Sequence, residues 1–187
     1  MRVISGSARG TLLKTPEGAL TRPTADRVKE AMFSILQFAL PGAAVLDLFG
    51  GTGQLGIEAL SRGAASAVFV DHREDACRLI RENLKKTHLE QRGTVVRGDY
   101  MDYLNRCGRK FDVILLDPPF AEVFLENALK RITEIDILQS GGIIMLERPY
   151  GKDLPYDFDG YVRSKDYKYG TILLTTYRKT EESGMTI

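Results

Sequence analysis

Most features that would mark a membrane, secreted or metal-dependent protein are missing from this 187-residue chain. No apolar run approaches the ~18 residues that a membrane-spanning helix needs, and the N-terminal MRVISGSARG lacks the apolar core of a signal peptide. Only two cysteines occur, Cys77 and Cys107, without paired or CxxC spacing, which predicts free thiols in a reducing cytoplasm. The two histidines, His72 and His88, have no Cys or His companion at ligand spacing, so no metal is expected. Internal repeats, low-complexity runs and linkers longer than a turn are also lacking. A chain of this length buries roughly 70% of its unfolded surface around one core, and one soluble domain over 1–187 is the expectation.

Net charge is close to balanced, at +1, but it is unevenly placed. Residues 1–30 carry +3 and residues 161–180 carry +4, so the stretches outside them sum to −6. Two basic ends around an acidic middle make one positive face for phosphates if the fold brings the ends together; otherwise they are solvated surface.

What is present is an alternation. After an expected hairpin in residues 2–14, Thr24 is placed to cap a helix in which Val28, Met32, Ile35, Leu36 and Ala39 recur at helical spacing. Strand AVLDLF (44–49), a helix over 54–62, strand SAVFVD (66–71) and a helix over 73–88 follow. That last helix begins with Glu74 and Asp75 and finishes with Lys85 and Lys86, opposing the macrodipole, with Ala76, Leu79, Ile80 and Leu84 expected inward. Strands GTVVRGD (93–99), FDVILLD (111–117) and GGIIMLE (141–147) continue the pattern, with a helix over 122–136 between the last two. Strands apolar throughout and separated by helices imply a parallel sheet covered on both faces, an α/β doubly wound class. The chain closes differently: GYVRSKDYK and GTILLTTYRK meet at Tyr169-Gly170 as an antiparallel hairpin.

Ligands bind such sheets at the carboxyl ends of the strands, beside the switch in strand order. Asp47, Asp71, Asp99 and Asp117 all stand at or just past strand ends and are read as one rim. DLFGGTGQLG (47–56) matches G-x-G-x-x-G at Gly51, Gly53 and Gly56, a loop that lets backbone amides approach a ligand, with Asp71 twenty residues beyond Gly51 for a ribose. The expected loop contacts are Asp47, Phe49, Gly50, Gly51, Thr52 and Gly53, with His72 and Tyr100 flanking the acids. Charge selects between two adenosine cofactors. NAD would bring a pyrophosphate against Asp47, whereas S-adenosyl-L-methionine brings an ammonium and a sulfonium, so the latter is favoured. Asp99 is placed to accept from the adenine amino group.

FDVILLDPPF (111–120) ends a buried strand in a rigid, donor-free corner. Each proline fixes φ and lacks an N–H, and the residue before a proline is held extended. Asp117 and the Pro118 carbonyl together can accept both hydrogens of a planar amine and localise its lone pair, Pro119 stiffens the corner, and Phe120 can stack on a base. The same motif also reads as no more than a strand-ending turn, and a non-catalytic RNA-binding assembly factor stays open on that account.

DLFGGTG followed by DPPF resembles the amino-methyltransferases. RVISGSARG, RPTADRVKEAMFSIL (22–36), ALSRGA (59–64) and the YKYGTILLTTYR tail are similar to the bacterial RsmD family over nearly the whole chain. That resemblance implies a class I methyltransferase Rossmann-like fold with a seven-stranded sheet and an N-terminal hairpin extension (1–20) before a catalytic core (21–187). It also implies methylation of a guanine N2 amine of 16S ribosomal RNA, of the guanine-966 type, on the small subunit or its assembly particle, with adenine N6 in DNA or RNA as the alternative. RNA contacts are expected at Arg9, Lys14, Arg22 and Arg27.

Overall fold

The computed structural model describes residues 1–16, 23–118, 121–151, 153–158 and 160–180, and the side chains of 23–25 and 121–122 fall outside that description. Helix α1 spans Pro23–Leu36, followed by strand β1 (Ala44–Asp47), α2 (Gln54–Ser61), β2 (Ser66–Asp71) and α3 (Glu74–Lys86). A single 3₁₀ turn at Glu90–Arg92 leads to β3 (Gly93–Arg97), α4 (Tyr100–Arg106), β4 (Phe111–Leu116) and α5 (Ala121–Glu134). Strands β5 (Leu138–Pro149), β6 (Asp157–Phe158), β7 (Tyr161–Tyr169) and β8 (Ile172–Lys179) complete one sheet ordered β3-β2-β1-β4-β5-β8-β7-β6.

Strands β3 to β5 run parallel, and β5, β8, β7 and β6 pair antiparallel. The parallel strands are apolar throughout because helices cover both faces: Val45, Phe69, Val113 and Met145 face α1, α2 and α3, while Leu46, Val68, Ile114 and Leu146 face α4 and α5. Each fully buried side chain of this size contributes about 1.5–3 kcal/mol. The strand order reverses between β1 and β4, and the carboxyl ends on either side of that reversal open onto the site.

The expected class holds, with an eight-stranded rather than seven-stranded sheet. The addition, β6, is two residues long and pairs only with Tyr161 and Val162. The N-terminal hairpin reduces to one bridge, Arg2 to Leu12. Thr24 does not precede its helix, which begins at Pro23, a first-turn position that suits proline because its missing N–H would have no partner there. Leu79 is only half-buried, and Cys77 takes the inward position. Both cysteines are free thiols.

The N-terminal segment is fastened to α2. Glu58, buried on α2, accepts from the N–H groups of Ile4 (2.7 Å) and Ser5 (3.0 Å) and pairs with Arg62 at 2.7 Å. The Ser61 hydroxyl accepts from Ala8 N–H and donates to the Ser5 carbonyl. Gly6, at φ 85°, runs so close that a Cβ would lie 1.8 Å from the Ser61 oxygen, so only glycine fits. Lys29 is buried with its ammonium donating to the Arg2 carbonyl at 2.7 Å, and burial lowers its pKa. Apolar residues of this segment and α1 belong to the same cluster as Leu174, with Tyr167 and Ile172 of the terminal hairpin packed against it. Among the described residues no helix is long and apolar enough to cross a membrane, and no group of three His, Cys, Asp or Glu could hold a metal.

Candidate active site

The carboxyl ends of β3, β2, β1, β4 and β5 enclose a cleft of about 680 Å³. Five acids line it in strand order: Asp99, Asp71, Asp47, Asp117 and Glu147. Phe49, Gly50, Gly51, Thr52, His72, Tyr100 and Pro118 line it as well. Gly53 does not. It adopts φ 79° ahead of α2, where a Cβ would meet Ile80 and Ile57, so its place is in the turn and its packing.

The glycine loop is held by hydrogen bonds that its N–H groups donate to the end of β2. Gly50 N–H donates to the Val70 carbonyl (2.8 Å) and Gly51 N–H to Asp71 Oδ2 (2.8 Å). Gly51 sits at φ 55°, in the left-handed region that favours glycine, and lines the cleft. Asp71 Oδ1 accepts from Arg73 N–H at 2.9 Å. Each Asp71 oxygen thus has one donor and a lone-pair direction to spare, which leaves it able to receive ribose hydroxyls.

Asp47 has a different part from a simple surface carboxylate. It is 1% exposed, accepts from Gly56 N–H in the first turn of α2 (3.0 Å), and is pushed up to about 7 by burial, opposed by that hydrogen bond and reinforced by the Asp117 and Asp71 charges. It anchors the loop from beneath while adding negative potential to the cleft. Asp99 caps α4, its Oδ1 accepting from Met101 N–H at 2.8 Å. His72 is largely exposed, 3.7 Å from Asp71.

Across the cleft, Phe49, Tyr100 and Phe124 form an aromatic wall, with centroids 5.2 Å apart for Phe49–Tyr100 and 5.7 Å for Tyr100–Phe124. Phe124, on α5, was not expected from the sequence.

Asp117 stands just past β4, half-buried beside Pro118, and burial raises its pKa. Glu147 also rises, from burial first and the Asp117 charge second. Sequence reasoning missed Glu147 although it ends GGIIMLE as the aspartates end their strands. The cations nearby are engaged elsewhere: Arg148 reaches Thr175 (2.8 Å) and Asp166 (3.1 Å), and Arg73 pairs with Asp75. Adjacent pairs of backbone-facing glycine, hydroxyl-accepting acid, aromatic wall and net negative lining suit a cationic adenosine cofactor and disfavour a pyrophosphate.

Pro119, Phe120 and Arg22 lie outside the described residues. Of the other expected RNA contacts, Arg9 and Arg27 are exposed, and Lys14 pairs with Glu82 at 2.8 Å while its backbone is held by Asn83. At the opposite end, Lys168 stands 3.4 Å from the centre of the Tyr150 ring, next to Pro149 and Ile172 of the cleft.

Comparison with known proteins identifies the family and the fold class. The chain is 38% identical over 182 residues to YlbH of Bacillus subtilis (strain 168), provisionally named an rRNA methyltransferase, covering 96% of this chain and 99% of that one. It is 33% identical over 155 residues to ribosomal RNA small subunit methyltransferase D of Escherichia coli (strain K12), covering 83% and 78%. A solved Escherichia coli structure, yhhF, provisionally described as a methyltransferase, superposes with a TM-score of 0.86 at 28% identity, covering 97% and 99%. With the family model described as Conserved hypothetical protein 95 matching residues 1–178, the chain belongs to that family, the RsmD family, and has the class I methyltransferase fold.

Proposed function

We propose that this protein is an S-adenosyl-L-methionine-dependent methyltransferase that modifies the exocyclic N2 amine of a guanine in 16S ribosomal RNA. The target is of the guanine-966 type, on the small ribosomal subunit or an assembly intermediate. One observation carries the reading: Asp117 and Pro118 form a donor-free corner in the same cleft as the glycine loop and the ribose-competent Asp71. Relatives named for small-subunit rRNA methylation support the substrate class.

When bound, S-adenosyl-L-methionine supplies an electrophilic methyl group; Asp71, Gly51, Asp99 and the Phe49–Tyr100 wall are the residues that would hold it. The chemistry left to the protein is modest. An exocyclic amine is a poor nucleophile because its lone pair is delocalised into the base. Asp117 and the Pro118 carbonyl accept its two hydrogens and turn that pair toward the electrophile, and positioning does most of the rest. A raised Asp117 carboxylate is then basic enough to receive the proton that the methylated amine sheds. Phe120 is proposed to stack on the base, Pro119 to keep the corner stiff, and a paired guanine must be flipped out to arrive there. Arg9, Lys14, Arg22 and Arg27 are proposed phosphate contacts, each adding roughly one unit to the salt slope of affinity.

The test is methyl labelling of naked 16S RNA and of 30S subunits from a strain lacking the enzyme, followed by nucleoside mass spectrometry and mapping. Label in N2-methylguanosine is expected. Label in N6-methyladenosine would establish the adenine alternative, and no label on either substrate would favour a non-catalytic assembly factor.

A further inference from the structure

The cleft holds a second carboxylate that the amine-binding corner does not require. Leu116 and Leu146 are paired on adjacent parallel strands, and Asp117 and Glu147 each follow directly, on strands about 4.8 Å apart. Both line the cleft with Pro118. Among the described residues no donor or cation engages the Glu147 carboxylate. Arg148, its neighbour in sequence, turns to Thr175 and Asp166, and Thr175 in turn donates to Asp166 at 2.6 Å. Two acids side by side, with Asp47 also near Asp117, are a costly arrangement unless a ligand supplies donors to both.

The chemistry of the bases says which ligand does so. Beside its N2 amine, guanine carries a ring N1–H, a donor. Beside the N6 amine of adenine lie only the N1 and N7 lone pairs, and beside the N4 amine of cytosine lie the N3 lone pair and a C–H. Among the amino-bearing bases, guanine alone presents a donor next to its amine. A carboxylate adjoining Asp117 therefore attracts guanine and repels adenine.

Building on the proposed function, we infer that Glu147 is the residue that selects guanine, accepting the N1–H of the target base while Asp117 holds its N2 amine. A site that offers two carboxylates to two neighbouring donors discriminates against a base lacking one of them by about 1–3 kcal/mol, roughly 5- to 150-fold. Glutamine at 147 keeps the shape, removes the charge and can donate to adenine N1.

The experiment compares wild type, Glu147→Gln and Glu147→Ala on 30S subunits reconstituted with transcribed 16S RNA carrying guanine, adenine or 1-deazaguanine, in which a C–H replaces N1–H, at the mapped position. Expected for Glu147→Gln is a fall of at least tenfold in the guanine-to-adenine ratio of kcat/KM, with S-adenosylhomocysteine affinity within threefold of wild type. Glu147→Ala should lose guanine activity without gaining adenine activity. Wild type should methylate the 1-deazaguanine substrate at least tenfold more slowly than guanine, a readout that needs no variant to fold. An unchanged ratio in Glu147→Gln, full-rate methylation of 1-deazaguanine, or a tenfold loss of S-adenosylhomocysteine affinity assigning Glu147 to the cofactor would each overturn the inference. Failure of wild type to label guanine at all would instead sink the proposed function on which it rests.

Discussion

Replacing Gly56 by alanine would place a methyl carbon 2.2 Å from Cε1 and 2.7 Å from Cζ of Phe69, whose ring is 0% exposed between α2 and the sheet. Neither partner can withdraw cheaply: Gly56 is held by its N–H bond to Asp47, and Phe69 belongs to a central strand paired on both sides. Overpacking of this kind costs about 1–3 kcal/mol, and at about 2–4 °C per kcal/mol for a domain of this size the melting temperature should fall by roughly 2–12 °C. Gly56 does not line the cleft, so S-adenosylhomocysteine affinity by calorimetry should stay within threefold. Phe69→Leu should partly restore Gly56→Ala, because the space vacated by the ring accommodates the new methyl. The cycle of single and double variants should then show a favourable coupling of about 1 kcal/mol or more. A Gly56→Ala protein that melts like wild type, or one that loses cofactor affinity with no loss of stability, would refute the reasoning and make Gly56 a ligand contact after all.

Other perturbations probe separate parts of the molecule. Glu58→Ala strips two backbone N–H groups and Arg62 of a buried partner, at a cost of roughly 3 kcal/mol; hydrogen exchange should report lost protection in residues 3–9. Asp136 receives Lys110 (2.6 Å), Tyr161 (2.7 Å) and Lys179; burial alone would raise its carboxyl, but these three hydrogen bonds overcome it and hold the pKa well below the usual range. A depressed carboxylate stabilises above its unfolded pKa of about 3.9 and loses that contribution as pH falls. Asp136→Asn, which tolerates the φ of 51° there, should therefore melt below wild type at pH 7, with the gap closing as the pH drops below about 4 in a melting series. Glu147 has the opposite sign: its raised pKa makes its contribution present below an unfolded pKa of about 4.3 and lost as pH rises through the folded value. Glu147→Gln should accordingly melt above wild type at pH 8 in the absence of ligand, and equal it toward pH 4.

The parallel half of the sheet was legible because its strands are buried on both faces, which leaves continuous apolar runs between amphipathic helices. Asp47, Asp71, Asp99 and Asp117 were legible for a related reason, as the polar residues that interrupt such runs at the rim. What each acid does was not. Asp71 gripping Gly51, Asp47 gripping Gly56 and Asp99 capping α4 depend on where backbone N–H groups point, and sequence spacing does not encode that direction. Helix α4 went unseen because its seven residues bury only Leu104, too little periodicity to register. Strand β6 was invisible because two residues have no period, and the engagement of Arg148 depends on the antiparallel register of β5 against β8. Glu147 carried the same end-of-strand signal as the aspartates, and its meaning emerged only when β5 was placed beside β4.

The central proposal is that Asp117 acts on the target amine and not on the cofactor. Single-turnover methyl transfer to 30S subunits from a strain lacking the enzyme, with Asp117→Ala and wild type each saturated with S-adenosyl-L-methionine, tests this directly. Loss of one preorganised acceptor predicts a rate at least ~100-fold lower, with S-adenosylhomocysteine affinity unchanged within threefold. Near-normal turnover by Asp117→Ala, or a lost rate that tracks lost cofactor affinity, would contradict it.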